Sequence, residues 1–119
     1  MLISDSAEGI RVPLVINDEK FFALLDTGAE RTCLDLSEAR RMQLELAEYD
    51  GDILFAGSKC NTEVFTAEVE ISCAKHSVGY QVICFNLVGR EKVLLGRDLL
   101  ATFGLEIRGI PLTFTTGMV

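Results

Sequence analysis

The feature that most constrains the fold of this chain is an alternation of apolar and polar residues with a period of two. It recurs in residues 10–16, 21–25, 64–71 and 77–85. A period of two places every second side chain on the same face of a β-strand, so these segments are predicted to be strands. Turn-forming residues at 17–20 and at 74–76 predict that they pair as two hairpins. Pro13 cannot donate to a strand ladder, so its strand lies at a sheet edge or leaves the proline at an unpaired position.

Two segments depart from this alternation and are predicted to be short helices. Residues 37–44 begin with Ser37, a favourable N-cap residue, and continue with good helix formers. Residues 97–103 form the second helix, and Gly104 directly after them is expected to end it in the left-handed conformation.

The whole chain, residues 1–119, is predicted to be one domain. No linker, low-complexity tract or internal repeat divides it, and strand patterns resume at 105–107 and 110–115. With 49% hydrophobic residues the chain is too apolar for a disordered protein. The expected fold class is therefore all-β, with one or two short helices.

Charge and hydropathy exclude several kinds of partner. The net charge is −7, from 11 basic and 18 acidic residues. Such a chain repels phosphates, so neither nucleic acid nor an anionic membrane surface is expected as a partner. No apolar run approaches the roughly 18 residues of a membrane span. Residues 1–5 lack the basic and apolar regions of a signal peptide, and we expect a cytoplasmic location.

The cysteines do not indicate a metal site. Cys33, Cys60, Cys73 and Cys84 form no Cys-x-x-Cys pair, and His76 is the single histidine. This spacing does not suit zinc, and we expect no bound metal. All four thiols are expected to be reduced and mostly buried. The alternative, a reactive redox thiol, would need a lowered pKa.

The most informative stretch is Leu-Leu-Asp-Thr-Gly-Ala at residues 24–29. An apolar strand runs directly into Asp26, and the small residues after it allow a turn. A carboxylate at the end of a buried strand is costly unless it is paired or used. The structural alternative is that Asp26 only begins a turn, as Asp-x-Gly sequences often do.

The second informative stretch is Val-Leu-Leu-Gly-Arg-Asp-Leu-Leu at residues 93–100. It predicts a buried strand that ends at Gly96 and opens a helix. Taken alone it is a strand–turn–helix packing unit.

Together and in this order, the two stretches resemble the retropepsin-like aspartic proteases, over residues 10–114. Residues 24–29 match the family's apolar-apolar-Asp-Thr/Ser-Gly-Ala motif, and residues 94–98 match its apolar-apolar-Gly-Arg-Asn/Asp motif. The resemblance implies a closed, barrel-like sheet with a flap hairpin, which falls on residues 53–59. This flap contains fewer glycines than retroviral flaps.

The resemblance also implies the chemistry, which is peptide-bond hydrolysis by two carboxylates that share one proton. The chain has a single Asp-Thr-Gly. The second carboxylate must therefore come from a second copy, giving a homodimer with Asp26 of each chain on the two-fold axis. The nucleophile is water, so no cofactor is expected. The partners are a second copy and a peptide or protein substrate.

Roles for other residues follow from the same resemblance. Thr27 is expected to interlock with its counterpart in the second copy, and Gly28 and Ala29 complete the active-site loop. Glu30 lies where the family has an acidic residue near the substrate main chain, and Arg97 is expected to hold that loop through an ion pair with it. Structural support is expected from Gly96, Arg97 and Asp98. Candidate substrate-binding residues besides Glu30 are Leu24, Cys33, Lys92 and Leu94 in the pocket walls and Phe55, Ala56, Gly57, Ser58 and Lys59 in the flap.

Two other functions are compatible with these patterns. The first is a dimeric peptide-binding module of the same fold with little or no cleavage, since fold does not imply function. The second is a β-rich scaffold without a dyad. Cleavage of a peptide library by the wild type, and its loss in Asp26→Asn, would separate both from a protease.

Overall fold

The computed structural model contains twelve strands and two short helices in the described part of the chain. It describes residues 4–6, 9–26, 28–49, 54–55, 58–59, 63–87, 91–104, 106–108 and 113–115. The strands are β1 Ser4–Ser6, β2 Gly9–Ile16, β3 Glu19–Leu25, β4 Cys33–Asp35, β5 Ala47–Glu48, β6 Leu54–Phe55, β7 Ser58–Lys59, β8 Phe65–Cys73, β9 His76–Phe85, β10 Val93–Leu95, β11 Glu106–Arg108 and β12 Thr113–Thr115. The helices are α1 Leu36–Arg41 and α2 Arg97–Phe103. The predicted all-β class is confirmed.

Eight strands form one sheet in the order β1-β2-β3-β10-β4-β9-β8-β5. An additional pairing of β2 with β8 closes six of these strands, β2, β3, β10, β4, β9 and β8, into a barrel. Because β2 also pairs with β1 and β3, it is not an edge strand. Pro13 lies between Arg11, where the pairing with β1 ends, and Val15, where the pairing with β8 begins. Pro13 is paired with Phe22 of β3, and on the other side of β2 it lies in the gap between the two pairings, where no donor is required.

The two predicted hairpins are confirmed. Asn17 and Asp18 join β2 to β3 with φ angles of 47° and 68°. Two left-handed residues match the right-handed twist of the strands they connect, and Asn and Asp tolerate that conformation. The second hairpin joins β8 to β9 through Ala74 and Lys75, and His76, predicted to lie in the turn, pairs with Cys73 as the first residue of β9.

The barrel interior is filled by the alternating apolar residues that the period of two predicts. In β2 and β3 the inward residues Val12, Leu14, Ile16 and Ala23 are at most 2% exposed. In β8 the exposed Glu68 and Glu70 alternate with buried apolar neighbours. The core thus lies inside the closed sheet, and the charged residues of these strands face outward.

Both helices pack on the core, α1 through Ala39 and α2 through Leu99 and Phe103. The second helix ends as predicted, because Gly104 has φ 59° and its N–H donates to the carbonyl of Ala101. The first begins at Leu36, and Asp35, not Ser37, is its N-cap residue, so the predicted cap is wrong. The Ser37 hydroxyl donates to the Asp35 carboxylate instead, and that carboxylate also accepts the N–H of Leu87.

Two small sheets lie outside the barrel. Strands β6 and β7 pair through Leu54 with Lys59 and through Phe55 with Ser58, at the place predicted for the flap hairpin. Strands β11 and β12 form an antiparallel pair near the C-terminus. None of the helices in the described ranges is long and apolar enough to cross a membrane.

Candidate active site

Asp26 lies directly after β3, at the edge of the sheet where two parallel strands end together. Strands β3 and β10 are parallel, and Leu24 is paired with Leu94. The carboxyl ends of parallel strands meet at one edge, so this register brings residue 26 beside the start of α2. The N–H of Asp26 donates to the carbonyl of Leu95 at 3.0 Å. The two motifs, 70 residues apart in the sequence, are thereby joined by the main chain.

The Asp26 carboxylate is held by the turn that follows it. Its Oδ1 accepts the N–H of Gly28 at 3.0 Å, and its main-chain carbonyl accepts the N–H of Ala29 at 3.1 Å. The side chain is partly exposed, and Oδ2 has no hydrogen-bond partner among the residues that the structure describes. A Cβ added at Gly28 would lie 3.3 Å from Oδ1, closer than an ordinary contact. Glycine therefore leaves room for the carboxylate, and Thr27 lies outside the described residues.

The loop after Asp26 packs on the first turn of α2 through main-chain hydrogen bonds. The N–H of Arg97 donates to the carbonyl of Ala29 at 2.9 Å, and the N–H of Asp98 donates to that of Glu30 at 3.2 Å. A Cβ added at Gly96 would lie 2.6 Å from the carbonyl carbon of Arg31. Only glycine permits this approach, because the atoms in the way belong to the main chain.

Asp98 is the centre of a hydrogen-bond network that the sequence did not reveal. Its carboxylate accepts the Thr32 hydroxyl at 2.8 Å and the Thr32 N–H at 3.0 and 3.1 Å. Thr32 is fully buried, and its Oγ1 in turn accepts the N–H of Gly96 at 3.0 Å. A buried hydroxyl with both a donor and an acceptor role fixes the geometry of its neighbours. The network locks the loop after Asp26 onto the helix that supports it.

The side chains of Tyr80, in β9, and of Arg31, in the loop before β4, extend this network. The Tyr80 hydroxyl donates to Asp98, and the Nε of Arg31 lies 3.6 Å from the same carboxylate. The guanidinium of Arg31 also lies 5.8 Å from the centre of the Tyr80 ring and donates to the carbonyl of Gln81 at 2.8 Å. The positive charge of Arg31 compensates Asp98, so the partly buried carboxylate keeps a partner.

The predicted ion pair between Arg97 and Glu30 is present but exposed. The Nη2 of Arg97 lies 3.6 Å from Oε1 of Glu30, and the two side chains are 57% and 85% exposed. Exposed pairs of this kind contribute about 0–1 kcal/mol. In a single chain, the support expected from the Arg97 side chain comes instead from its main-chain N–H and from Asp98.

Three of the four predicted pocket residues lie together in a second apolar cluster, separate from the barrel core. This cluster contains Cys33, Ile83, Phe85, Leu87 and Leu94, with Leu24, Tyr49 and Val64 packed against it. Burial, together with the nearby charges of Asp98 and Asp26, raises the pKa of the Cys33 thiol to about 12. Leu24, two residues before Asp26 in the chain, packs against this cluster, so the cluster lies near that residue. A thiol with so high a pKa is not a redox nucleophile.

Lys92, the fourth predicted pocket residue, does not belong to this cluster. Lys92 is 65% exposed and lies 3.6 Å from Glu38, in a cleft that Asp26 does not line. Phe55, Ser58 and Lys59 belong to β6 and β7, whereas Ala56 and Gly57 lie outside the described residues. Sequence reasoning missed Ile83 and Phe85, although the unbroken apolar run at 82–85 is typical of a strand buried on both faces.

The arrangement offers one carboxylate per chain for chemistry, next to an apolar wall. Within the described ranges, no group of three or more His, Cys, Asp and Glu side chains could hold a metal ion. The free cysteines Cys33, Cys73 and Cys84 are all buried. What the site presents is therefore an acid–base group that is rigidly tied to the sheet.

Comparison with known proteins gives a family and a fold. The family model described as gag-polyprotein putative aspartyl protease matches residues 12–102. Among solved structures, the EIAV protease complexed with the inhibitor HBY-793 is similar at 24% identity and a TM-score of 0.68, covering 85% of this chain and 93% of that one. A retropepsin-like aspartic protease from Rickettsia conorii is similar at 20% identity and a TM-score of 0.65, covering 92% of this chain and 84% of that one.

A third similar structure is the retroviral protease-like domain of Ddi1 from Leishmania major. Its identity is 17% and its TM-score 0.60, with coverage of 98% of this chain and 86% of that one. A search among curated protein sequences found no significant match.

Proposed function

The chain belongs to the gag-polyprotein aspartyl protease family, and from this we propose that it is an aspartic endopeptidase. The observation that carries the proposal is the setting of Asp26. Its carboxylate is fixed by the Gly28 N–H at 3.0 Å, is partly exposed, and lies beside the second apolar cluster. A charged group held rigidly next to an apolar wall is suited to acid–base work on a bound peptide.

The proposed active site is completed by a second copy of the chain. Acid–base hydrolysis of a peptide by carboxylates needs two of them sharing a proton, and this chain contains a single Asp-Thr-Gly. A two-fold axis beside Asp26 brings the two equivalent carboxylates together. Strands β11 and β12, which pair only with each other among the described strands, offer open sheet edges for further contact between copies.

In the proposed reaction, one Asp26 is ionised and the other carries the shared proton. The ionised carboxylate takes a proton from a water molecule, whose oxygen attacks the peptide carbonyl carbon. The protonated carboxylic acid donates to the carbonyl oxygen. The carboxyl group that took the proton from water then passes it to the amide nitrogen as the C–N bond breaks. The other carboxylate regains its proton from a hydroxyl group of the tetrahedral intermediate, and no cofactor takes part.

The substrate is proposed to bind as an extended peptide between the second apolar cluster and the hairpin of β6 and β7. Leu24, Cys33 and Leu94 contribute the wall beside Asp26. Apolar side chains of the peptide fill alternate pockets, and its main chain is held by hydrogen bonds. The Glu30 side chain, 85% exposed on the loop after Asp26, is proposed to accept hydrogen bonds from polar groups of the peptide.

The experiment is a digestion of a peptide library with the wild type and with Asp26→Asn, analysed by mass spectrometry. The matched control is Asp18→Asn, which makes the same change in a turn residue whose left-handed conformation asparagine accepts. The proposal predicts cleavage by the wild type and the control, and no cleavage by Asp26→Asn. Equal cleavage by Asp26→Asn would place the chemistry elsewhere. Binding of peptides without cleavage would indicate the non-catalytic module.

A further inference from the structure

A cleft of about 340 Å³ lies on the outer side of the barrel, beside β3, and Asp26 is not among its lining residues. Phe22 lines this cleft, and 71% of its surface is exposed. Its neighbours Phe21 and Ala23 point inward and are buried. The alternation of the strand thus places a large aromatic ring in water, where an apolar partner would stabilise it by removing its surface from solvent.

The charges around Phe22 are unequal. Arg41 lies 2.6 Å from Glu19 and 3.2 Å from Glu38, and so compensates the two acidic residues on that side. On the other side, Arg11 is paired with Glu91.

Two lysines remain beside the ring. Lys92 is 65% exposed and has Glu38, already engaged by Arg41, at 3.6 Å. Within the described part of the chain, no carboxylate lies within ion-pair distance of Lys20, which is exposed. In a chain of net charge −7, the exposed aromatic ring thus lies among four basic and three acidic side chains, counting Arg41 at the border of the cleft.

The cleft and the second apolar cluster involve the same two segments of the chain. Leu24 and Leu94 are paired in register and both belong to that cluster. Phe22 precedes Leu24 by two residues on the same face of β3, and Lys92 precedes Leu94 by two residues, directly before β10. The cleft and the cluster are therefore neighbours along both segments.

We propose that this cleft is a docking site for an acidic peptide segment that carries an apolar side chain. The apolar side chain of the peptide packs on Phe22, and peptide carboxylates on either side of that side chain form ion pairs with Lys20 and Lys92. The segment binds through its side chains on the sheet face that Phe22 occupies. That the segment belongs to the substrate rests on the proposed function, whereas its binding does not.

Binding is measured with a fluorescein-labelled twelve-residue peptide that has Glu-Phe-Glu at its centre in a Gly/Ser background. The protein is the full chain carrying Asp26→Asn, so that no cleavage interferes. We expect Lys20→Glu and Phe22→Ser to weaken binding at least fivefold. The matched control Lys75→Glu makes the same charge change in the exposed turn before β9 and should alter binding less than twofold. Peptides with Lys-Phe-Lys or Glu-Ala-Glu at the centre should bind at least fivefold more weakly than the parent.

The possible results distinguish the docking site from its alternatives and from the proposed function. Equal binding by Lys20→Glu and Lys75→Glu would show that only overall charge matters. A loss of dimer in Phe22→Ser, seen by sedimentation, would make a second copy the occupant. Failure of the wild type to cleave any peptide, with tight binding that depends on Lys20, would refute the protease and leave the docking site standing. Cleavage by the wild type without such binding would refute the docking site alone.

Discussion

Replacement of Thr32 by valine tests the network that holds the active-site loop. The two side chains have nearly the same shape, so Thr32→Val removes the hydroxyl without opening a cavity. The lost hydroxyl donates to Asp98 at 2.8 Å and accepts the N–H of Gly96 at 3.0 Å. Because Thr32 is fully buried, water cannot replace either bond.

The magnitude follows from these two bonds. A hydrogen bond to a charged acceptor contributes about 1.5–3 kcal/mol, and a buried N–H left without a partner costs about 1–3 kcal/mol. The additional buried methyl group of valine offsets about 0.8 kcal/mol. We therefore expect Thr32→Val to lower the free energy of unfolding by about 2–5 kcal/mol. Thr32→Ser keeps the hydroxyl and should lose only about 1 kcal/mol for the methyl group.

The assay is urea unfolding followed by far-UV circular dichroism, at one fixed protein concentration because a dimer is stabilised by mass action. Thr102→Val is the matched control, since the Thr102 hydroxyl also donates to Asp98, at 2.9 Å, but to its main-chain carbonyl and on the exposed side of α2. The control should change the free energy of unfolding by less than about 0.5 kcal/mol. A loss in Thr32→Val no larger than in Thr102→Val would refute the network as the support of the loop.

Three further predictions use the same assay. Gly96→Ala should lower the free energy of unfolding by about 1–3 kcal/mol or more, because its Cβ would lie 2.6 Å from main-chain atoms. Gly79→Ala is the control, since its Cβ would have no atom within 4 Å and stability should not fall. Equal effects of the two substitutions would contradict the close approach at Gly96. Arg97→Ala should change the free energy of unfolding by less than about 1 kcal/mol, because the ion pair of Arg97 with Glu30 is exposed. A larger loss would mean that a second copy of the chain buries this ion pair. Burial raises the pKa of Cys33 and Cys84 to about 12, so the unfolded thiols ionise first and stability falls as pH rises from about 9 towards 12. Between pH 9 and 10 this loss should be about 2 kcal/mol larger in the wild type than in the Cys33→Ala/Cys84→Ala double variant, and equal slopes would contradict it.

The longer strands and their two hairpins could be predicted because the determining signals are local. Alternating burial along β2 and β8 follows from the period of two, and the hairpin after Ile16 follows from two residues that tolerate the left-handed conformation. The end of α2 at Gly104 has the same local origin. Each of these features depends on neighbours within a few positions, which a single sequence contains.

The missed features depend on contacts between distant parts of the chain. Thr32 and Asp98 are 66 residues apart, and an isolated threonine between Arg31 and Cys33 gives no sign that it will be buried against a carboxylate. The helix start was misplaced for the same reason. The Asp35 carboxylate accepts a hydrogen bond from the N–H of Leu87, 52 residues away. The Ser37 hydroxyl donates to Asp35 and does not cap the helix.

The candidate site is only partly predictable, because a sequence motif identifies residues but does not show whether their side chains are buried or exposed. The two motifs are joined through the main chain, where the N–H of Asp26 donates to the carbonyl of Leu95 and the N–H of Arg97 donates to that of Ala29. The side chains of Arg97 and Lys92 are mostly exposed and form surface pairs. A single sequence does not distinguish a residue whose side chain supports a loop from one whose main chain does.

The central claim, that one Asp26 from each of two chains forms the active site, is tested most directly by mixing wild-type and Asp26→Asn protein. Total wild-type protein is kept constant while increasing amounts of the variant are allowed to exchange subunits with it, and peptide cleavage is measured. If mixed dimers are inactive, an equal amount of variant leaves only about a quarter of the dimers fully wild type, and activity per wild-type chain falls by about half. The same addition of Asp18→Asn should cause no fall. Activity per wild-type chain that stays constant when Asp26→Asn is added would show that each chain works alone, and would contradict the shared dyad.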